Sequence, residues 1–121
     1  MLKKNYYLQQ MTNEKFYQNL LNSLKNPIVF ADCNHVIQYM NKAAIEQYKE
    51  GKALIRQSIF DCHNEESNAI IRDVYEKMLH EGLDEKMITN NSKHRIYMRA
   101  VRDENHQLMG YYERYEPPVG A

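Results

Sequence analysis

The residues able to do chemistry are few and scattered. Cys33-Asn34-His35 and Cys62-His63 bring two thiols and two imidazoles into short segments, and His80 and His94 stand alone. A structural zinc site draws its ligands from pairs at short regular spacing. These two segments lie far apart in unconventional spacing, so they read more simply as free thiols and surface histidines. A phosphate loop, a nucleophile elbow and a metalloprotease helix are all absent from the sequence. The acidic pair Glu65-Glu66 has a plainer use than acid–base catalysis, because a helix start favours negative charge.

Composition narrows the field further. The chain has 121 residues, the size of one compact domain, with Lys plus Arg 16 against Asp plus Glu 16. That balance gives no electrostatic footprint for nucleic acid or an anionic membrane. No apolar run approaches the roughly 20 residues of a membrane span, and the opening residues lack a signal peptide's apolar stretch. The expectation is a cytoplasmic domain with Cys33 and Cys62 reduced. Tyr (10) and Met (7) are frequent and Trp is absent. Tyr and Met fill irregular space or line adaptable pockets.

The elements that must position these residues follow from periodicity. Residues Met1 to Met11 show no period and read as a lead. A helix is predicted from Thr12 to about Lys25, with Thr12 as cap and Phe16, Leu20 and Leu24 on one face. Asn26-Pro27 stops it. Ile28-Val29-Phe30-Ala31 and Val36 to Met40 read as a hairpin about a four-residue turn. Asn41 caps a short helix toward Gly51, and Lys52 to Asn64 hold a further helical turn anchored by Leu54, Ile55, Ile59 and Phe60. Asn64 caps a long helix to about Glu81, which Gly82 ends. Three strands follow: Glu85 to Thr89, Arg95 to Val101 and Gln107 to Tyr115. Two strands, then helices, then three strands give an α+β class. The layout is a single five-stranded antiparallel sheet with helices on one face, preceded by an N-terminal helix. The expected boundaries are a lead and flanking helix over 1–26, a domain over 27–116 and a tail over 117–121.

This order resembles the PAS fold. Ile28-Val29-Phe30-Ala31-Asp32 is similar to its opening strand. Ile37-Gln38-Tyr39-Met40-Asn41-Lys42-Ala43 is similar to its strand-to-helix signature, in which Asn caps the next helix. Ala100-Val101-Arg102-Asp103, a turn and Gly110 resemble its paired final strands. The resemblance implies a sensory or regulatory module, not an enzyme. It binds a small ligand or a signalling partner and relays the event by conformational change or dimerisation. The alternatives are a pure interaction module with a filled cavity, a haem sensor, and a small isomerase-like enzyme. It also implies homodimerisation through the N-terminal helix or the sheet face.

The cofactor is unknown on this reading, and none is the first expectation. The flavin-binding relatives need a cysteine where this chain has Ser58, and a serine cannot supply the thiol chemistry. The haem-binding relatives place a histidine on the long helix. None lies between Asn64 and Leu79, which leaves His63 or His94 as the iron ligand if haem is present. Strand alternation places His94, Ile96, Met98 and Ala100 toward the helices. It places Leu108, Gly110 and Tyr112 inward on the last strand, with Met109, Tyr111, Glu113 and Tyr115 outward beside Tyr97 as an exposed aromatic surface. The candidate pocket is therefore Val29, Tyr39, His63, Ile71, Tyr75, His94, Met98 and Tyr112.

Overall fold

A computed structural model describes residues 11–120. All but Met11 of the lead expected from Met1 to Met11, and the terminal Ala121, lie outside the described residues. Helix α1 spans Asn13–Asn22, opened by Thr12, whose hydroxyl oxygen accepts from the Lys15 amide at 3.1 Å. It stops short of Lys25 because the Ser23 hydroxyl donates back to the Leu20 carbonyl at 2.6 Å, closing the last turn. Strands β1 (Ile28–Asp32) and β2 (Ile37–Met40) form the expected hairpin. Helix α2 (Lys42–Gln47) follows, then two short 3₁₀ turns, Gly51–Leu54 and Ile59–Cys62. Helix α3 spans Glu65–His80, with Asn64 as cap through the Ser67 amide at 2.8 Å. Strands β3 (Glu85–Asn90), β4 (Arg95–Arg102) and β5 (Leu108–Glu116) complete the chain.

The five strands make one antiparallel sheet in the order β2-β1-β5-β4-β3. The first and last strands are thus neighbours at its centre. Helices α2 and α3 and the 3₁₀ turns cover one face. Between them and the sheet lies the apolar core, which includes Val29, Ala31, Ile37, Ile59, Ile71, Val74, Met78 and Met98. The apolar stripe of α3 supplies Ile71, Val74 and Met78 to it. Arg102 pins the far end of α3 to β4, donating to the Met78 carbonyl at 2.8 Å and the Leu83 carbonyl at 3.2 Å.

Asn41 joins three elements. It is fully buried; its Oδ1 accepts from the amides of Ala44 and Ile28, both at 3.0 Å. Its Nδ2 donates to the carbonyls of Asn26 (3.0 Å) and Leu21 (3.2 Å). The side chain therefore caps α2, starts β1 and holds the end of α1.

Strand β5 departs from simple alternation. Val101 pairs with Gly110 and Arg102 with Leu108, so Met109 is an extra residue, a β-bulge. Beyond it the phase is reversed. Tyr111, Glu113 and Tyr115 point into the core side, and Tyr112 points away. The expected inward Tyr112 and the expected outward Tyr111, Glu113 and Tyr115 are both corrected by this one insertion. Gly110 makes the bulge fit: its φ is +151°, and a Cβ there would lie 2.2 Å from the Ala31 carbonyl oxygen.

The opposite face of the sheet is divided. On β3 to β5, Arg114 bonds Glu85 at 2.8 Å and Glu116 at 3.0 Å, and its guanidinium lies 4.6 Å from the Tyr97 ring centre. That half is charged, in place of the expected aromatic surface. On β1 and β2, Ile28, Phe30 and Tyr39 join Tyr112, Val101 and, from the end of α1, Leu21 and Leu24 around an apolar groove.

Candidate functional site

A cleft of about 440 Å³ opens between α3 and strands β3, β4 and β5. Its apolar wall is Ile70 and Ile71 from α3, Ile88 from β3 and Ile96 from β4. Its polar wall is Tyr48, Cys62, His63, His94, Glu113 and Tyr115, with Glu66, Ser67 and Thr89 completing the lining. The volume falls in the range of small-molecule pockets.

The polar wall is organised around a buried carboxylate. Glu113 has no solvent exposure, and neither carboxylate oxygen has a hydrogen-bond partner. Its nearest charge partner is His63, whose Nε2 lies 3.6 Å from Oε1, an ion-pair separation longer than a hydrogen bond. The other ring nitrogen of His63, Nδ1, donates to the Ile59 carbonyl at 2.8 Å and lies 3.4 Å from the Cys62 sulfur. Burial alone would lower the His63 pKa. The hydrogen bond with Cys62, the charge of Glu113 and the Ile59 carbonyl outweigh it and push the pKa up to about 11. His63 is therefore an imidazolium at neutral pH.

Two tyrosines stand beside this pair. The hydroxyls of Tyr48 and Tyr115 are hydrogen-bonded to each other, and their rings meet edge-on at 6.3 Å. Burial, then the Glu113 charge, raises both pKa values, so both hydroxyls keep their protons. His94 packs edge-on against Tyr115 at 5.1 Å.

Of the eight sequence candidates, His63, Ile71 and His94 line the cleft. Val29, Tyr75 and Met98 are core residues. Tyr75 packs with His35, 4.6 Å between ring centres, in a cluster where the Tyr111 hydroxyl bonds His35 Nδ1 at 2.8 Å. Burial, then the Arg72 charge, lowers the His35 pKa, and burial raises that of Tyr111. Tyr39 and Tyr112 lie on the other face of the sheet, in the apolar groove, and are corrected out of the pocket. The Tyr39 hydroxyl donates to Asn22 Oδ1 at 3.1 Å.

Sequence reasoning missed Tyr48, Glu113 and Tyr115. The available signal was Gly110, since a glycine inside a strand marks a bulge; counting from it reverses the phase and turns Glu113 and Tyr115 inward.

Both ring nitrogens of His63 are directed in this structure, one at the Ile59 carbonyl and one toward the Glu113 carboxylate. Ser58 caps the second 3₁₀ turn, its hydroxyl oxygen accepting from the Phe60 amide at 3.2 Å. Among the described residues, no group of three His, Cys, Asp or Glu side chains is placed to hold a metal ion.

The family model described as "PAS domain" matches residues 17–116. The chain belongs to the PAS domain family. Solved structures agree on the fold. The C-terminal domain of a Streptococcus mutans protein is 21% identical, with a TM-score of 0.73 over 88% of this chain and 85% of that one. A sensory box sensor histidine kinase from Vibrio cholerae is 10% identical, with a TM-score of 0.62 over 94% and 95%. The PAS domain of BvgS from Bordetella pertussis is 16% identical, with a TM-score of 0.57 over 94% and 89%. Among curated proteins no relative matches at a significant level. PAS domains are in general sensory modules rather than enzymes. Among the described residues, no helix of this PAS domain is long and apolar enough to cross a membrane.

Proposed function

We propose that this PAS domain is a sensor that binds a small molecule in the cleft between α3 and the sheet and relays occupancy through β5. The supporting observation is the Glu113 carboxylate, fully buried at the cleft with both oxygens free of hydrogen bonds. An unsatisfied buried carboxylate is costly, and a ligand able to bond it offsets that cost. Native mass spectrometry of the purified protein tests this reading. A co-purified mass that disappears when Ile70→Trp fills the cleft is the expected result. A mass retained by that variant would place the ligand elsewhere.

A second reading rests on the opposite face. Phe16 and Leu20 of α1 and Leu24 just beyond it are 41%, 52% and 42% exposed, and Leu24 lines the apolar groove. Such a surface supports pairing with a second copy or a signalling partner. Light scattering across a concentration series tests the homodimer. A monomeric mass at the highest concentration would count against it.

A further inference from the structure

The cleft's chemistry also selects the kind of molecule it takes; this step rests on the cleft being the ligand site. Two carboxylates, Glu66 and Glu113, face it, and of the two only Glu113 lies within ion-pair distance of a cationic side chain, His63. The carboxylate oxygens of Glu113 are acceptors only, and each has lone pairs to offer. The partner they lack is a donor. Lining the same cleft, Ile70, Ile71, Ile88 and Ile96 offer only apolar surface.

From this arrangement we infer that the cleft binds a small organic cation, a primary ammonium or amidinium group on a short aliphatic body, with its N–H donors on Glu113. The positive head adds charge opposite to the carboxylates, and its hydrogen bonds satisfy oxygens that His63 only approaches, at 3.6 Å. Charge-assisted bonds of this kind are the strong ones, and they strengthen further where water is excluded. The aliphatic body replaces water against the isoleucine wall. A carboxylate of the same size is rejected, because it brings a second anion to Glu113 and leaves both of its oxygens unsatisfied.

The test uses four probes of one size: butylamine, butyramidine, butanol and butyrate. Each is titrated into the protein with amide chemical shifts followed by NMR. The expected result is saturable binding of butylamine and butyramidine, with shifts at Glu113, Tyr115 and Ile70. Butanol and butyrate should bind at least ~10-fold more weakly. Glu113→Gln should weaken amine binding by a similar factor while leaving the amide spectrum folded. Ile70→Trp, a change at the exposed rim of the cleft, should abolish it. Equal or tighter binding of butyrate or butanol in the cleft, or amine binding unchanged in Glu113→Gln, overturns the cation assignment and leaves the ligand site standing. Binding of none of the four, with Ile70→Trp indistinguishable from the parent in spectrum and co-purified mass, overturns both.

Discussion

The imidazole of His63 and the carboxylate of Glu113 face each other across 3.6 Å at the polar end of the cleft, one from the loop ahead of α3 and one from the central strand β5. Both are shielded, Glu113 completely. A pair this buried draws its stability from mutual charge, since water contributes little to either member.

The first consequence is pH dependence. The folded pKa of His63 is raised to about 11 from an ordinary 6.5. A raised pKa stabilises the fold fully below the unfolded value, and the contribution is lost as pH rises through the folded one. Stability should therefore decline between about 6.5 and about 11, with a slope of at most ~1.4 kcal/mol per pH unit from this group. Urea unfolding at a series of pH values measures the slope. Histidine NMR should show no titration of His63 across roughly pH 5 to 8, the range in which unperturbed histidines change charge. A His63 midpoint inside that range would refute the pairing.

Removing the carboxylate reverses the balance. In Glu113→Gln the charge that holds the proton is gone and burial acts more strongly on the imidazole. His63 should then titrate lower than in the parent, with only the Cys62 and Ile59 contacts left to oppose burial. The alkaline loss of stability should flatten in the same variant. An unchanged His63 midpoint in Glu113→Gln would show that the carboxylate does not help hold the proton.

Asn41 predicts a stability difference between two conservative-looking changes. Asn41→Ala removes four hydrogen bonds at a fully buried position. A cost of about 2–4 kcal/mol is expected, since a cap is lost and buried groups on three elements go unpaired. Asn41→Asp keeps the two acceptor contacts but points a carboxylate oxygen at the Leu21 and Asn26 carbonyls, so it should not rescue. Thermal unfolding compares the two, and a stability for Asn41→Asp equal to the parent would contradict the donor assignments.

Gly110→Ala addresses the bulge. The added methyl would meet backbone at 2.2 Å from the Ala31 oxygen and 2.9 Å from the Asp32 Cα, and neither can move without disturbing the β1–β5 ladder. A loss of roughly 2–4 kcal/mol is expected. Parent-like denaturant midpoints for this variant would mean the central ladder is softer than its geometry implies.

The fold was legible where local signals are strong. Thr12, Asn41 and Asn64 all cap the helices read from them, because their side chains act on amides only three residues away. The strands were also legible, and the family signature around Asn41 carried the sheet. The cleft was legible only in part. His63, Ile71 and His94 line it as expected, the first because it precedes the long helix and the others by helical and strand period. Glu113 was hidden twice over. A charged residue is seldom read as core, and one extra residue at Met109 turned the strand's inner and outer sets over. Tyr39 and Tyr112 changed places for the groove because aromatic residues suit either side of a sheet.

Strands β1 and β5 run antiparallel at the middle of the sheet, Ile28 opposite Arg114, and the Tyr115 amide donates to the Pro27 carbonyl at 3.1 Å. The backbone leading into the sheet and the backbone leaving it are therefore clamped together two residues from Glu113. A nudge to that carboxylate has almost no distance to travel before both flanking segments feel it. On the proposed sensor reading, a tilt of one segment against the other is how occupancy of the cleft would leave the domain.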